Sequence, residues 1–306
     1  MVVVLIIKSM TPPIPLTAVL LTLAVPGLAS AIIAYPSSAT VGPDHGIYTE
    51  TSPGVLTLNP SGNALSELAG NASSPGGNVE LFYLSETATY TDMSASGAFA
   101  NVARTNLDMV FPDGSTCQLS SLNGGDWFYD AGGAYNTSYG AENFANQWFT
   151  ELVTASGQAT TLDGFGLTSQ LWDEFVNNGV FAIMSDPNIN YAYMDNGSLE
   201  FGLGGHIDAG IKIDPILAQM ETDNGLPLGT LQNLLPDPFQ FSEVVLVDGL
   251  PHYSFAATDS GVILDDGVNS YSGNYHITAE KTPEPSSALL LLVSSMAFLA
   301  SRRSRR

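Results

Sequence analysis

LDMVFPDGSTCQL, residues 107–119, decides the fold class. Two runs, Leu107 to Phe111 and Ser115 to Leu119, flank Asp113-Gly114. Asp-Gly between apolar stretches is a hairpin signal, because this pair accepts the positive φ angles that a tight reversal needs. Upstream, Val79 to Tyr90 and Phe99 to Val110 are rich in β-branched and aromatic residues and extend the β-region. The late chain repeats the grammar. Val244 to Val247, an Asp248-Gly249 turn, His252 to Ala257, Val262-Ile263-Leu264, an Asp265-Asp266-Gly267 turn and Tyr275 to Ala279 read as a second set of strands.

Between the two β-regions the apolar period changes from two to about 3.6. Phe144, Trp148, Phe149, Leu152 and Val153 fall on one helical face before Gly157, and Leu171, Trp172, Phe175 and Val176 repeat the pattern before Gly179. Trp148 and Trp172 are therefore expected in the core. A third helix is expected with Asp214 as cap, Pro215 in its first position, and Ile216, Leu217 and Met220 on its buried face. The opening of the body is rich in Ser, Pro, Gly and Asn. It is expected to wrap the domain with at most one short strand, Val55 to Leu58. The fold class that follows is mainly β and sandwich-like, an α+β body spanning residues 32–282 with a helical insert at about 139–180.

Charge separates this body from its ends. The chain carries 8 Lys+Arg against 30 Asp+Glu, and four of the bases, Arg302, Arg303, Arg305 and Arg306, lie in the last five residues. Within 32–282 only Arg104, Lys212 and Lys281 remain, facing every acid but Glu284. So acidic a body repels phosphate backbones and anionic lipid, which excludes nucleic acid as a partner. At the N-terminus, Lys8 precedes the apolar run Ile14 to Val25, a Pro26-Gly27 break and Ala29-Ser30-Ala31. Those are the parts of an export signal, with signal peptidase expected to cut after Ala31, Ala29 and Ala31 filling its small-residue pockets. Near the C-terminus, Ser286 to Ser301 carries no charge. As a helix it would rise ~24 Å, short of a ~30 Å hydrocarbon core, and the arginines behind it would stay cytoplasmic. This describes a stop-transfer device that holds an exported body at the outer face of the inner membrane.

Pro283-Glu284-Pro285, an apolar segment and the Arg302, Arg303, Arg305, Arg306 cluster resemble the PEP-CTERM sorting signal. The resemblance covers the last 24 residues, 283–306. It implies an exosortase, a membrane transpeptidase-like enzyme, as processing partner in a Gram-negative bacterium that makes exopolysaccharide. The body, over about Asn78 to Thr278, resembles a largely cyanobacterial group of PEP-CTERM proteins. The landmarks are Gly125-Asp126-Trp127-Phe128, Asn178-Gly179-Val180-Phe181, Ser185-Asp186-Pro187-Asn188-Ile189-Asn190-Tyr191, the run Gly202 to Ala209, and Ser272-Gly273-Asn274-Tyr275. No activity is established for that group, so the resemblance carries over no catalytic residue. It implies a destination: cell surface, outer membrane or extracellular matrix.

Motifs for chemistry are sparse. No serine stands in a G-x-S-x-G elbow, and zincin, phosphate-loop and dinucleotide fingerprints are missing. Cys117 is the only cysteine, which excludes an internal disulfide; it reads as an apolar filler in a strand, and no spacing joins it to His45, His206, His252 or His276. His206 and Asp208, two apart in an expected strand, would share a face and with Asp186 or Asp195 could hold a divalent cation. Oxygen-rich turns, Asp195-Asn196-Gly197, Asp223-Asn224-Gly225 and Asp265-Asp266-Gly267-Val268-Asn269, make calcium the cofactor to consider, although none has the helix-loop-helix spacing. Asn71, Asn136 and Asn196 head Asn-x-Ser sequons to which no role is assigned.

Three functions fit. The first is a sorted surface or matrix protein without catalytic activity, associated with exopolysaccharide through exposed Tyr, Trp, Asn and Asp. The second is a secreted glycan-active enzyme, which needs two carboxylates ~5 to 9 Å apart. The third is a structural coat subunit. The calcium expectation has its own check: millimolar calcium should raise the melting temperature of the purified protein, and an unchanged melting curve removes the ion.

Overall fold

Short β-forming runs broken by glycine and aspartate turns order the chain in the computed structural model, which describes residues 33–86, 90–264 and 270–280. First come β1 (Ser38–Val41), β2 (His45–Ser52), β3 (Val55–Leu58), the single turn α1 (Ala64–Glu67), β4 (Asn78–Leu81), β5 (Asn106–Val110) and β6 (Thr116–Ser120). Helices follow: α2 (Gly124–Phe128), α3 (Phe144–Ala155), α4 (Ala159–Gly164), α5 (Thr168–Asn177) and α6 (Val180–Ile183). Then come β7 (Asn188–Asp195), β8 (Ser198–Gly205), α7 (Gly210–Asp223), β9 (Val245–Val247), β10 (Leu250–His252), β11 (Thr258–Asp259), β12 (Ile263–Leu264) and β13 (Gly273–Glu280).

These strands make two sheets. One has five strands in the order β1-β5-β6-β9-β10, and the other has eight, β11-β13-β8-β7-β4-β2-β3-β12. The Asp113-Gly114 hairpin is β5–β6, with Leu107 opposite Leu119 and Met109 opposite Cys117. Its loop closes where Phe111 N–H meets the Ser115 carbonyl at 2.8 Å, and Gly114 takes the left-handed position with φ 82°. Alternation then aims Leu107, Met109 and Leu119 at one apolar cluster. Val79 and Leu81 of β4, Ile189 of β7, Phe201 and Leu203 of β8, and Tyr275 and Ile277 of β13 join the same cluster, so both sheets contribute to one core.

A second core is aromatic and belongs to the helices. Phe181 of α6 is fully buried, and its ring centroid lies 5.1 Å from Trp127, 5.1 Å from Phe128, 5.2 Å from Trp172, 6.0 Å from Trp148 and 6.5 Å from Phe175. Most of these pairs are edge-to-face, the arrangement that ring quadrupoles favour. Trp148 and Trp172 are core residues, as their helical spacing indicates. Asn143 caps α3 by accepting the Asn146 N–H, and Gly157, with φ 72°, follows its end.

Several expectations need correction. The opening of the body holds three strands, not at most one: β1 pairs with β5, and β2 lies inside the larger sheet between β3 and β4. For β1 the distant partner β5 overrides weak local propensity, whereas β2 and β3 form a local hairpin across Pro53-Gly54. The expected strands Val79 to Tyr90, Phe99 to Val110 and His252 to Ala257 are shorter, ending as β4, β5 and β10. Asp195-Asn196-Gly197 contains the reversal of the long β7–β8 hairpin, with φ 50° at Asn196 and 92° at Gly197, the pattern of a two-residue primed turn. This hairpin hides from the alternation test because nearly all of β7 is buried on both faces. Helix α7 begins at Gly210, so Pro215 lies inside it and Asp214 is not its cap.

Among the described residues, no helix is long and apolar enough to cross a membrane. The signal and sorting segments, with Ala29, Ala31, Pro283, Glu284, Pro285, Arg302, Arg303, Arg305 and Arg306, lie outside the described residues, as does the Asp265 to Asn269 turn. The aromatic core predicts the cost of its centre. Phe181→Ala should cost ~3–5 kcal/mol, a large share of a typical ~5–15 kcal/mol total. The urea midpoint should fall steeply, and an unchanged midpoint would contradict the hub.

Candidate functional site

The loop YDAGGAYNTSYG, residues 129–140, leaves the end of α2 and returns to α3 around an open groove of about 780 Å³. Its shape is fixed by side chains. Asp130 accepts the N–H groups of Gly132 and Ala134, each at 2.8 Å. Asn143 donates to the Asn136 carbonyl at 2.7 Å, and Asn146 donates to the Ser138 carbonyl at 3.1 Å while accepting the Gly140 N–H at 2.6 Å. The Trp172 indole N–H reaches the Thr137 carbonyl at 2.8 Å. The loop is thereby tied to the helices at several points.

Two tyrosines stand at the groove with their rings held. Tyr129, 48% exposed, meets Tyr135 edge-on at 5.2 Å, and Tyr139, 45% exposed, meets Phe149 edge-on at 6.1 Å. Glu142, Gln147 and Glu151 join Asn143, Asn146 and Thr150 in the polar lining, and Pro251 of β10 also lines the groove. Glu151 is oriented by the Tyr253 hydroxyl, which donates to it at 2.7 Å, and by the Gln147 amide at 3.1 Å. Burial, together with this bond to Glu151, holds the Tyr253 phenol protonated well above its usual range. The volume lies within the ~300–1,000 Å³ of ligand clefts. Open geometry, stacking rings and amide and carboxylate groups suit a hydroxylated, elongated ligand.

A second polar cluster is buried on the larger sheet. The Asn188 side chain accepts from the Asn78 amide at 2.6 Å and from the Tyr271 hydroxyl at 3.0 Å, and its own amide donates to Glu243 at 3.2 Å. The Asn188 backbone N–H also reaches Glu243, at 3.1 Å. Glu80, buried in β4, faces the same cluster, close beneath Gly46, where an added Cβ would lie 3.0 Å from its carboxylate. Burial pushes the Glu243 carboxyl from 4.5 up to about 8, and the nearby charge of Glu80 adds to this; the Asn188 hydrogen bonds and Lys212 oppose it. Glu243 does not line the groove.

Sequence-derived candidates fall elsewhere. β8 ends at Gly205, so His206 and Asp208 lie beyond the strand and the shared-face argument fails. The His206 carbonyl accepts the Tyr275 hydroxyl at 2.6 Å, and Asp208 accepts the N–H groups of Gly210 and Phe239, both at 3.1 Å. Asp208 thus ties the start of α7 to a distant loop. Asp186 accepts from Ser85, Asp195 precedes the hairpin turn, and Asp223-Asn224-Gly225 ends α7. Among the described residues no group of three or more His, Cys, Asp or Glu side chains could hold a metal ion. Asp265 and Asp266 lie outside the described residues.

The structure does bring Cys117 and His252 together, with Asp248, around a cavity of about 30 Å³. Burial pushes the His252 imidazole below its ordinary pKa, toward the neutral form. So small a space holds about one water and no substrate. The groove was missed in the sequence because its residues do not form a motif. Three tyrosines within a Gly-Gly and Asn-containing loop were the available signal. Compared with protein-family models, curated proteins and solved structures, the chain has no significant match.

The Glu243 geometry generates a pH prediction. Its folded pKa lies above the unfolded value, so the folded state binds the extra proton; the stabilisation this group contributes is full below pH 4.5 and is lost as pH rises through about 8. The melting temperature should fall between pH 5 and 9, and Glu243→Gln should flatten that slope. An equally steep slope in the variant would assign it to other groups.

Proposed function

We propose that this chain is an exported protein, sorted through its C-terminal tail by an exosortase to the cell surface or extracellular matrix of a Gram-negative bacterium, where its body binds exopolysaccharide without turnover. The observation that carries the binding step is the groove beside α3, with exposed Tyr129 and Tyr139 over Glu142, Gln147 and Glu151. Aromatic faces stack on the C–H faces of sugar rings, while amide and carboxylate groups take up the hydroxyls. In this reading the body is a sandwich-like support and the helices present the groove. Export rests on Lys8 and the apolar run ending at Ala31; sorting rests on Pro283-Glu284-Pro285 and the terminal arginines.

A second reading, glycan hydrolysis, draws on the presence of both Glu142 and Glu151 in one groove. Turnover distinguishes the two. Incubation with exopolysaccharide should retain the protein on the polymer and release no reducing sugar; release that disappears in Glu142→Gln would establish the enzyme instead. Tyr129→Ala with Tyr139→Ala should weaken retention about tenfold or more, equivalent to ~1.4 kcal/mol or more. For sorting, deletion of 283–306 should release the body to periplasm or medium. Mass spectrometry finding the arginine tail intact on the mature surface protein would end the exosortase reading.

A further inference from the structure

We infer that the groove takes an amino-sugar strand, a glycan whose rings carry free ammonium groups; this rests on the polysaccharide association proposed above and narrows its ligand. Charge selects the class. Among the described residues no lysine or arginine lines the groove, whereas Glu142 and Glu151 do. Both oxygens of Glu151 already accept, one from Tyr253 and one from Gln147. Glu142 differs: it is exposed and stands at the groove as a carboxylate available to a ligand.

The wider field points the same way. The chain has a net charge of −22. Of the cations in the described body, Arg104 is held by Asp126 in α2, and Lys212 stands on α7 near Glu243. A uronate or sulfated strand entering the groove would meet uncompensated carboxylates, while an ammonium would be drawn in. The tyrosines add to this preference. A phenol face attracts a cation through its quadrupole and also stacks on a sugar ring, so Tyr129 and Tyr139 serve both parts of one amino-sugar unit. Their ring contacts to Tyr135 and Phe149 hold both side chains in place before binding. Gln147, whose amide already donates to Glu151, and Thr150, whose hydroxyl already donates to the Asn146 carbonyl at 2.7 Å, still offer oxygens at the lining that can accept from neutral hydroxyl groups.

Calorimetric titration of the full-length chain at low salt tests this with four trimers: glucosamine with free amines, its N-acetylated form, a uronate, and tri-lysine as a cation without sugar faces. The free-amine trimer should bind about tenfold or more tighter than the N-acetylated one, the uronate should give no heat, and tri-lysine should bind more weakly than the amine sugar. Glu142→Gln should remove the amine preference, and Tyr129→Ala with Tyr139→Ala should weaken both sugars. Matched far-UV circular dichroism shows that the variants remain folded. Uronate bound as tightly as amine sugar, tri-lysine bound equally, or an amine preference that survives Glu142→Gln overturns the inference. Equal binding of both sugars that is lost in the tyrosine variant overturns the amine preference and leaves polysaccharide binding intact. No binding of either sugar overturns both.

Discussion

A buried hydrogen bond, from the Trp127 indole N–H to Ser185 Oγ at 2.7 Å, lies at the centre of the junction where the helices meet the sheets. Ser185 donates in turn to the Phe181 carbonyl at 2.6 Å, and its own carbonyl accepts the Leu122 N–H just past β6 at 3.3 Å. One residue earlier the Met184 carbonyl takes the Val244 N–H ahead of β9, and two residues later the Pro187 carbonyl takes the Leu81 N–H at the end of β4. Three segments distant in sequence, at Leu81, Leu122 to Trp127 and Val244, therefore converge on residues 184–187. An indole N–H buried without an acceptor costs ~1–3 kcal/mol, and here the same acceptor also fixes where α6 stops and β7 begins. Loosening it would disturb the aromatic core and strand pairing together.

The runs Gly125 to Phe128, Asn178 to Phe181, Ser185 to Tyr191, Gly202 to Ala209 and Ser272 to Tyr275 can be understood from this junction. Trp127, Phe181 and Ser185 touch one another, while Asn190 donates to Asn274 at 3.3 Å across the larger sheet. Gly202 and Gly204 are required by close packing: an added Cβ would sit 2.3 Å from the Tyr191 ring or 2.6 Å from the Asn190 amide. These motifs describe how a buried polar layer is accommodated on a sheet face, and they sit apart from the groove. Such positions are recognisable in a sequence because Gly, Asn and Trp have few substitutes where space and hydrogen bonds are both fixed.

How much could be read in advance follows the same division. The β5–β6 hairpin, the faces of α3 and α5 and the burial of Trp148 and Trp172 were legible, since each depends on local period or turn chemistry. The strand β1 was not, because its partner β5 lies far along the chain, and β2 was not, although it turns directly into β3 across Pro53-Gly54. Nor was β7, where Asn188 and Asn190 look like loop residues until their buried hydrogen-bond partners are known. The groove was least legible. Tyr129, Tyr139 and Glu142 gain meaning only when the loop folds back on α3. Glu243 reads as an ordinary surface acid, and its raised pKa arises from burial and from Glu80, 163 positions earlier in sequence.

The last strand described has a mechanical consequence. β13 is paired with β8 along its whole length, from Gly273 opposite Gly205 to Glu280 opposite Ser198, while β11 covers only Gly273 and Asn274 on its other side. Tension applied at Glu280 along the axis of β13 acts at right angles to those interstrand bonds. The ladder is then loaded in shear, and its bonds must yield together, whereas a peripheral hairpin pulled apart from its open end would release them one at a time. Under the proposed sorting through the C-terminal tail, a pull on the body would fall on its longest pairing.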